Sequence, residues 1–255
     1  MTYEVINLVF MCMGIAFSVL LFYRFRELPQ GVNQKDLPAV SVIIPARNEE
    51  KNLELLLEDL RAQSVQPHEI ICANDDSEDG TARVAQSFGA TLVNLTNKPE
   101  DWTGKTWACQ NGADVATGSL LLFLDADVRL GRDGLAQLLE AYQNCQCTVS
   151  VQPYHVTKKP YEQLSLVFNL VQIAANGTTL PWKTNIGVHG PVLLISKTDY
   201  ETIGGHASVR HCVVEDMAFG QKLKHLAFPV RQPAGQGSAR RGDGRDRVVE
   251  RKVLR

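Results

Sequence analysis

The chain has almost no net charge, no cysteine framework and no metal-binding spacing, and each shortage removes a class of function. Lys and Arg number 26 against 28 Asp and Glu, for a formal charge of −2, so the whole molecule offers no electrostatic footprint for nucleic acid. The six cysteines, at 12, 72, 109, 145, 147 and 212, include no C-x-x-C pair. That spacing excludes a disulfide scaffold and predicts reduced thiols in a cytosolic domain. The six histidines form no H-E-x-x-H and no Cys/His zinc pattern. A Walker loop, G-x-x-x-x-G-K-[ST], is absent as well. What remains is 255 residues with 44% hydrophobic and 21% charged side chains, enough for a large core and too apolar for a disordered chain.

The two ends differ from the body. Val5 to Tyr23 has only Asn7 and Ser18 as strongly polar side chains, a length that spans the roughly 30 Å of bilayer hydrocarbon as a helix. Only Glu4 precedes the run and Leu21-Phe22-Tyr23 closes it, which does not suit a cleaved signal peptide. Arg24 and Arg26 follow, and the positive-inside rule holds that side in the cytoplasm. The expected organisation is a membrane anchor over 1–26, a polar linker over 27–39 and a folded domain over 40–231. The last stretch, 232–255, carries seven basic and three acidic residues and no aromatic. It reads as a basic low-complexity tail outside the core, or as a truncated or frame-shifted end.

From Val40 onward, strands and helices alternate. Val40–Ile44, Glu69–Ala73, Thr91–Leu95 and Ser119–Leu124 read as strands, and Leu53, Leu56, Leu57 and Leu60 form the apolar stripe of the first intervening helix. Helices are predicted over Thr81–Phe88 and Lys105–Ala116. The pattern is α/β with a largely parallel sheet. Later segments read as a strand at Thr148–Gln152, an amphipathic helix at Tyr161–Ala175, a strand at Pro191–Ser196 and a helix at Val213–Leu226.

Polar clusters fall at the carboxyl ends of the strands, where doubly wound sheets bind ligands. Asp125-Ala126-Asp127 follows an apolar strand, and two hard carboxylates two residues apart suit Mg²⁺ or Mn²⁺. Asp75 is a free carboxylate able to take a uracil ring N–H or a ribose, Asp79 a helix cap, and Asn48 a cap at the first strand's end. Trp102-Thr103-Gly104-Lys105 precedes a helix whose N-terminus and ammonium could receive a diphosphate. Glu215-Asp216 opens a late helix as a candidate base.

The order PARNEE (45–50), DDSEDGT (75–81), GK (104–105), DAD (125–127), GG (204–205) and ED (215–216) resembles the family 2 glycosyltransferases of GT-A fold. Ser150–His155, Phe168-Asn169-Leu170, Gly190-Pro191-Val192 and Gly204-Gly205-His206 resemble more narrowly the glycosyltransferases of bacterial carotenoid synthesis. The resemblance implies a Rossmann-like GT-A domain that moves a sugar, glucose in the first place, from a UDP-sugar to an apolar acceptor such as a carotenoid acid. It implies that Pro45, Arg47, Glu49 and Asp75 surround base and ribose, that Lys105 lies near the diphosphate, and that Asp125 and Asp127 hold ribose and a divalent metal. Asp216, preceded by Glu215, would be the general base, and Gly205 with His206 would meet the acceptor. Asn74 stands where many members carry a first aspartate, which leaves base recognition to Asp75. The nucleotide motifs permit a polyprenyl-phosphate or other glycolipid acceptor equally, and a further reading is an inactive nucleotide-binding remnant lacking its acceptor region. The implied partners are the donor, a lipid-like acceptor and the cell membrane, with the domain on its cytoplasmic side.

Overall fold

The computed structural model describes residues 2–21, 28–29, 37–156, 171, 187–212, 214–225, 230–231 and 249–252. The first helix, α1 (Thr2–Leu21), is long and apolar enough to cross a membrane and buries none of its apolar span against the rest of the chain. At 1.5 Å per residue it is about 30 Å long. The expected alternation then follows, as β1 (Val40–Ala46), α2 (Glu50–Arg61), β2 (Glu69–Asp75), α3 (Thr81–Ser87), β3 (Thr91–Leu95), α4 (Gly104–Val115) and β4 (Leu120–Leu124).

The second half adds β5 (Val128–Leu130), α5 (Gly134–Cys145), β6 (Thr148–Ser150), β7 (Tyr154–Val156), β8 (Val192–Ser196) and α6 (Lys197–Thr202). A 3-10 turn at His206–Val209 leads to α7 (Glu215–His225), β9 (Val230–Arg231) and β10 (Val249–Lys252). Of the helix expected over 161–175, only residue 171 lies among the described residues, and Phe168–Leu170 lie outside them.

The main sheet has the order β3-β2-β1-β4-β8-β6-β9. The first four strands are parallel, but β8 runs antiparallel to both β4 and β6. β9 is parallel to β6, so β8 alone opposes the other six strands: the sheet is mixed and, as expected, largely parallel. The central strands β1, β4 and β8 feed one apolar core per face, as period-2 alternation requires. Val42, Ile44, Leu120, Leu122, Leu124, Val192 and Leu194 join α2, α3 and α5 in one core. Ile43, Leu121, Phe123, Leu193 and Ile195 join α4, α6 and α7 in the other. Leu28, inside the expected linker, is also buried in the first core.

Two expectations change. Cys145 and Cys147 form a disulfide across one residue, so these two are not reduced thiols. The physical reason is local: Gln146 adopts the left-handed conformation at the end of α5 (φ 47°) and turns the two cysteines toward each other. Within 232–255, expected to lie outside the fold, Val249–Lys252 is a strand between β5 and β7. The segment's β-branched Val248-Val249 pair, set among charges, was a weak strand signal.

Candidate active site

Strand order reverses at the β1/β4 junction, with β2 and β3 on one side and β8 on the other, and this is where an open α/β sheet leaves a crevice. The loop after β1 is tied to the loop after β2. The Asn48 N–H donates to Ser77 Oγ (3.0 Å), Asn48 Oδ1 accepts the Glu78 N–H (2.8 Å), and the Glu49 N–H donates to Thr81 Oγ1 (2.9 Å). Asn48 therefore links loops instead of capping α2. The N-cap of α3 is Gly80 rather than Asp79; from one residue earlier, Asp79 accepts the Thr81 N–H (3.0 Å) and the Glu50 N–H at the start of α2 (3.1 Å).

These loops wall a cavity of about 380 Å³ bordered by Pro45, Arg47, Glu49, Asp75, Gly104, Lys105, Asp125 and Asp127. Every residue expected to meet the donor thus reaches one space. Asp75 is buried and is not free: Arg47 Nη1 lies 3.7 Å from Oδ2. It also sits against the first turn of α4, where a Cβ on Gly104 would come within 2.6 Å of Oδ2. Asn74, one residue earlier, falls on the opposite face of β2. Its Nδ2 donates to Asn94 Oδ1 across the strand pair (2.9 Å), so its role is in the sheet rather than in the pocket.

Four carboxylates, from Glu49, Asp75, Asp125 and Asp127, face that cavity against the cations Arg47 and Lys105. Burial raises the pKa of Glu49; Asn52 opposes the shift, and the charges of Asp127 and Asp125 add to it. Among the described residues no cluster of three or more side chains could hold a metal alone. Asp125 and Asp127 fit a Mg²⁺ or Mn²⁺ ion that takes its other ligands from substrate phosphates and water. They border the cavity from a turn, with the Val128 N–H donating to the Asp125 carbonyl (3.1 Å), rather than from an extended strand.

Lys105 joins this cavity to a second, deeper one. Its Nζ lies 2.9 Å from Asp125 Oδ1 and 3.6 Å from Glu215 Oε1. Burial would lower its pKa, but the charges of Asp125 and Asp216 outweigh that and hold it above the usual lysine value. The deeper chamber, about 10 Å³, is bordered by Pro45, Lys105, Asp125, His206, Glu215 and Asp216 among others. Asp216 fits there because residue 190 is glycine, where a Cβ would meet Oδ1 at 2.0 Å. Its pKa is pushed up to about 6, chiefly by burial; Lys105 opposes the shift, while Glu215 and Asp125 add to it.

Of the acceptor residues expected, His206 reaches this chamber and Gly205 does not. Gly205 borders a separate cleft of about 340 Å³ with Gln110, Asp114, Lys197, Tyr200 and Glu201, because the chain turns at Gly204-Gly205, both with positive φ. Sequence reasoning gave Tyr200 and Gln110 no role. Tyr200 meets His206 across 6 residues of sequence, and Gln110 accepts the neighbouring Ala207 N–H across 97, pairings that no local pattern announces.

The mixed α/β sheet with an acidic cavity at its switch point has the architecture of a GT-A fold. The chain belongs to glycosyl transferase family 2, whose profile matches residues 41–200. It is 38% identical over 229 residues to the 4,4'-diaponeurosporenoate glycosyltransferase of Staphylococcus aureus strain USA300, covering 87% of this chain and 61% of the relative. The Staphylococcus haemolyticus protein of that name is 38% identical over 207 residues, covering 78% and 55%. The chain thus spans about three-fifths of the length of these relatives. Among solved structures it is similar to the mannosyltransferase PcManGT from Pyrobaculum calidifontis, in complex with GDP-Man and Mn²⁺ (TM-score 0.60, 22% identity, 84% of this chain and 59% of that one). S. aureus TarS is similar at TM-score 0.57 and 15% identity, over 84% of this chain and 37% of that one.

Proposed function

We propose that the protein is an inverting glycosyltransferase that moves glucose from a UDP-sugar to a carotenoid carboxylic acid at the cytoplasmic face of the cell membrane. The observation that carries this reading is the Lys105 bridge, because it joins Asp125 of the donor cavity to Glu215 beside Asp216. Donor and acceptor chemistry then share one centre. Asp75 and Arg47 suit the base and ribose, and the α4 N-terminus with Lys105 suits the diphosphate. Asp125 and Asp127 would hold a divalent cation, which when bound supplies charge neutralisation on the departing diphosphate.

The acceptor oxygen attacks the anomeric carbon as the bond from that carbon to the diphosphate oxygen breaks, releasing UDP. A hydroxyl acceptor must lose a proton, and Asp216, half-buried with an elevated pKa, is placed to take it. A carboxylate acceptor is already ionised at neutral pH and needs no base. The apolar α1 supports residence beside a lipid-soluble substrate, and the 38% identity to the staphylococcal enzymes supports a carotenoid acid. Full-length protein in native membranes, supplied with labelled UDP-glucose, should give an alkali-labile sugar ester of a carotenoid acid. Labelling of polyprenyl phosphate alone would overturn the acceptor, and no labelled product from any UDP-sugar would overturn the transferase.

A further inference from the structure

Arg210 follows the 3-10 turn at His206–Val209 and lies five residues before Glu215, where α7 begins. It is tied to the start of α4 in two ways. Its carbonyl, left over at the end of the turn, accepts the N–H of Thr103 (3.2 Å), the N-cap of α4. Its guanidinium donates through Nε to Asp101 Oδ2 (2.8 Å) and through Nη1 to the Ala207 carbonyl (3.2 Å). The Ala207 N–H in turn donates to Gln110 Oε1, farther along α4 (2.9 Å). Both ends of the turn are therefore fastened to that helix.

Folding stability does not account for the ion pair. The side chains of Arg210 and Asp101 are 40% and 48% exposed, and pairs so open to water add little to stability. The hydrogen bond from Arg210 holds the Asp101 carboxyl below the usual carboxylate range, so both partners are charged at neutral pH. What the pair fixes is relative position. Gly104 and Lys105, in the first turn of α4, border the donor cavity, whereas the chain beyond Arg210 leads to Glu215 and Asp216 in the deeper chamber. Asp101 and Arg210 meet across 109 residues of sequence to join the two.

We infer that Arg210 is a positioning residue that holds the acceptor side of the site, Glu215 and Asp216, in register with the end of α4 that takes the donor's diphosphate, and that Asp101 is its working partner. A bound diphosphate orders the first turn of α4, and the Asp101–Arg210 pair carries that order into the 3-10 turn. The inference rests on the reading of the α4 N-terminus as the diphosphate site. It adds that donor binding and acceptor placement are coupled through a pair on the surface as well as through Lys105.

The test is hydrogen exchange read by mass spectrometry on the full chain in detergent, with and without UDP and Mn²⁺. In the wild type, UDP should slow exchange over 103–107 and also over 206–212. Arg210→Ala keeps the backbone bond from Thr103 and removes only the side-chain ties. It should bind UDP within about threefold of the wild type and keep the protection over 103–107, but lose most of it over 206–212. Its kcat with a hydroxyl acceptor should fall about tenfold, while its unfolding midpoint stays within about 2 °C. Asp101→Ala should match it, the double variant should be no worse than either single one, and Arg210→Lys, which keeps the charge, should recover part of the loss. Unchanged protection over 206–212 in Arg210→Ala would overturn the inference, as would losses that multiply in the double variant. A variant that fails to fold, or whose midpoint falls beyond that range, would show a structural role and overturn it too. A wild type that binds UDP without protecting 206–212 removes only this inference, whereas a wild type that binds no UDP removes the reading of α4 and this inference together.

Discussion

Asp216 and Lys105 balance each other, and that balance has a pH signature. The Asp216 pKa rises from 3.8 to about 6, mainly because burial disfavours its charge. Folding therefore favours the protonated form. The associated stability is complete below about pH 4 and is lost as pH rises through 6. Asp216→Asn is neutral throughout, so its unfolding free energy should fall less than that of the wild type between pH 4 and 6, by on the order of 3 kcal/mol. Urea unfolding across that range measures the difference, and parallel curves for the two proteins would contradict the burial of this carboxylate. Transfer to a hydroxyl acceptor should rise over the same interval as the base ionises.

Residues at strand ends were legible in the sequence because chain direction alone places them. The apolar run of β4 had to be central, so the two aspartates after it had to reach the crevice. Asp75 was legible for the same reason, although its Arg47 partner was not. Gly190 gave no local sign of its purpose, since the atoms that need its missing Cβ belong to Asp216. Reading Asn48 as a cap failed because its carbonyl oxygen serves Glu78, on the next loop.

At the scale of elements, α2 acts as a strut between the donor loop and the chain leaving Asp127. Its first turn follows Arg47 and Glu49, and its last turn grips β5. Asp59 takes a bidentate ion pair from Arg129 (2.6 and 2.7 Å) and the Leu130 N–H (3.0 Å). Gln63 adds the Gly131 carbonyl (2.8 Å) and the Leu135 N–H (2.9 Å). Asp59→Ala leaves the Arg129 guanidinium and a backbone N–H without this partner, and should cost about 2 kcal/mol of unfolding free energy. Chemical denaturation checks this; a loss under about 0.5 kcal/mol would show that the strut is not needed.

A second tie joins the start of α4 to the chain after the 3-10 turn. The Thr103 N–H, at the start of α4, donates to the Arg210 carbonyl (3.2 Å), and Arg210 Nε donates to Asp101 (2.8 Å). The helices and strands of the first half were legible from periodicity. In the second half β6, β8 and α7 were legible too, whereas the antiparallel direction of β8 and the two-residue β9, too short for a period to register, were not.

Across the whole molecule, the near-neutral charge of −2 is an average over unlike parts: an apolar helix, an acidic crevice and a basic C-terminal stretch. The apolar span of the helix buries nothing in the body, and the body has its own cores, so the helix and the body are separable. Removing residues 1–26 should release the protein from membranes while leaving the body folded. Fractionation followed by circular dichroism reads both, and unchanged membrane binding would contradict an anchor at this end.

The central claim is that the metal-type pair serves the leaving group for every acceptor, whereas Asp216 serves only acceptors that must lose a proton. The most direct measurement is turnover of Asp127→Ala and Asp216→Asn with matched carotenoid acid and carotenoid alcohol acceptors at neutral pH. Asp127→Ala should abolish transfer to both, and Asp216→Asn should lose about a hundredfold or more on the alcohol while largely sparing the acid. Equal and severe loss from Asp216→Asn on both acceptors would contradict the account.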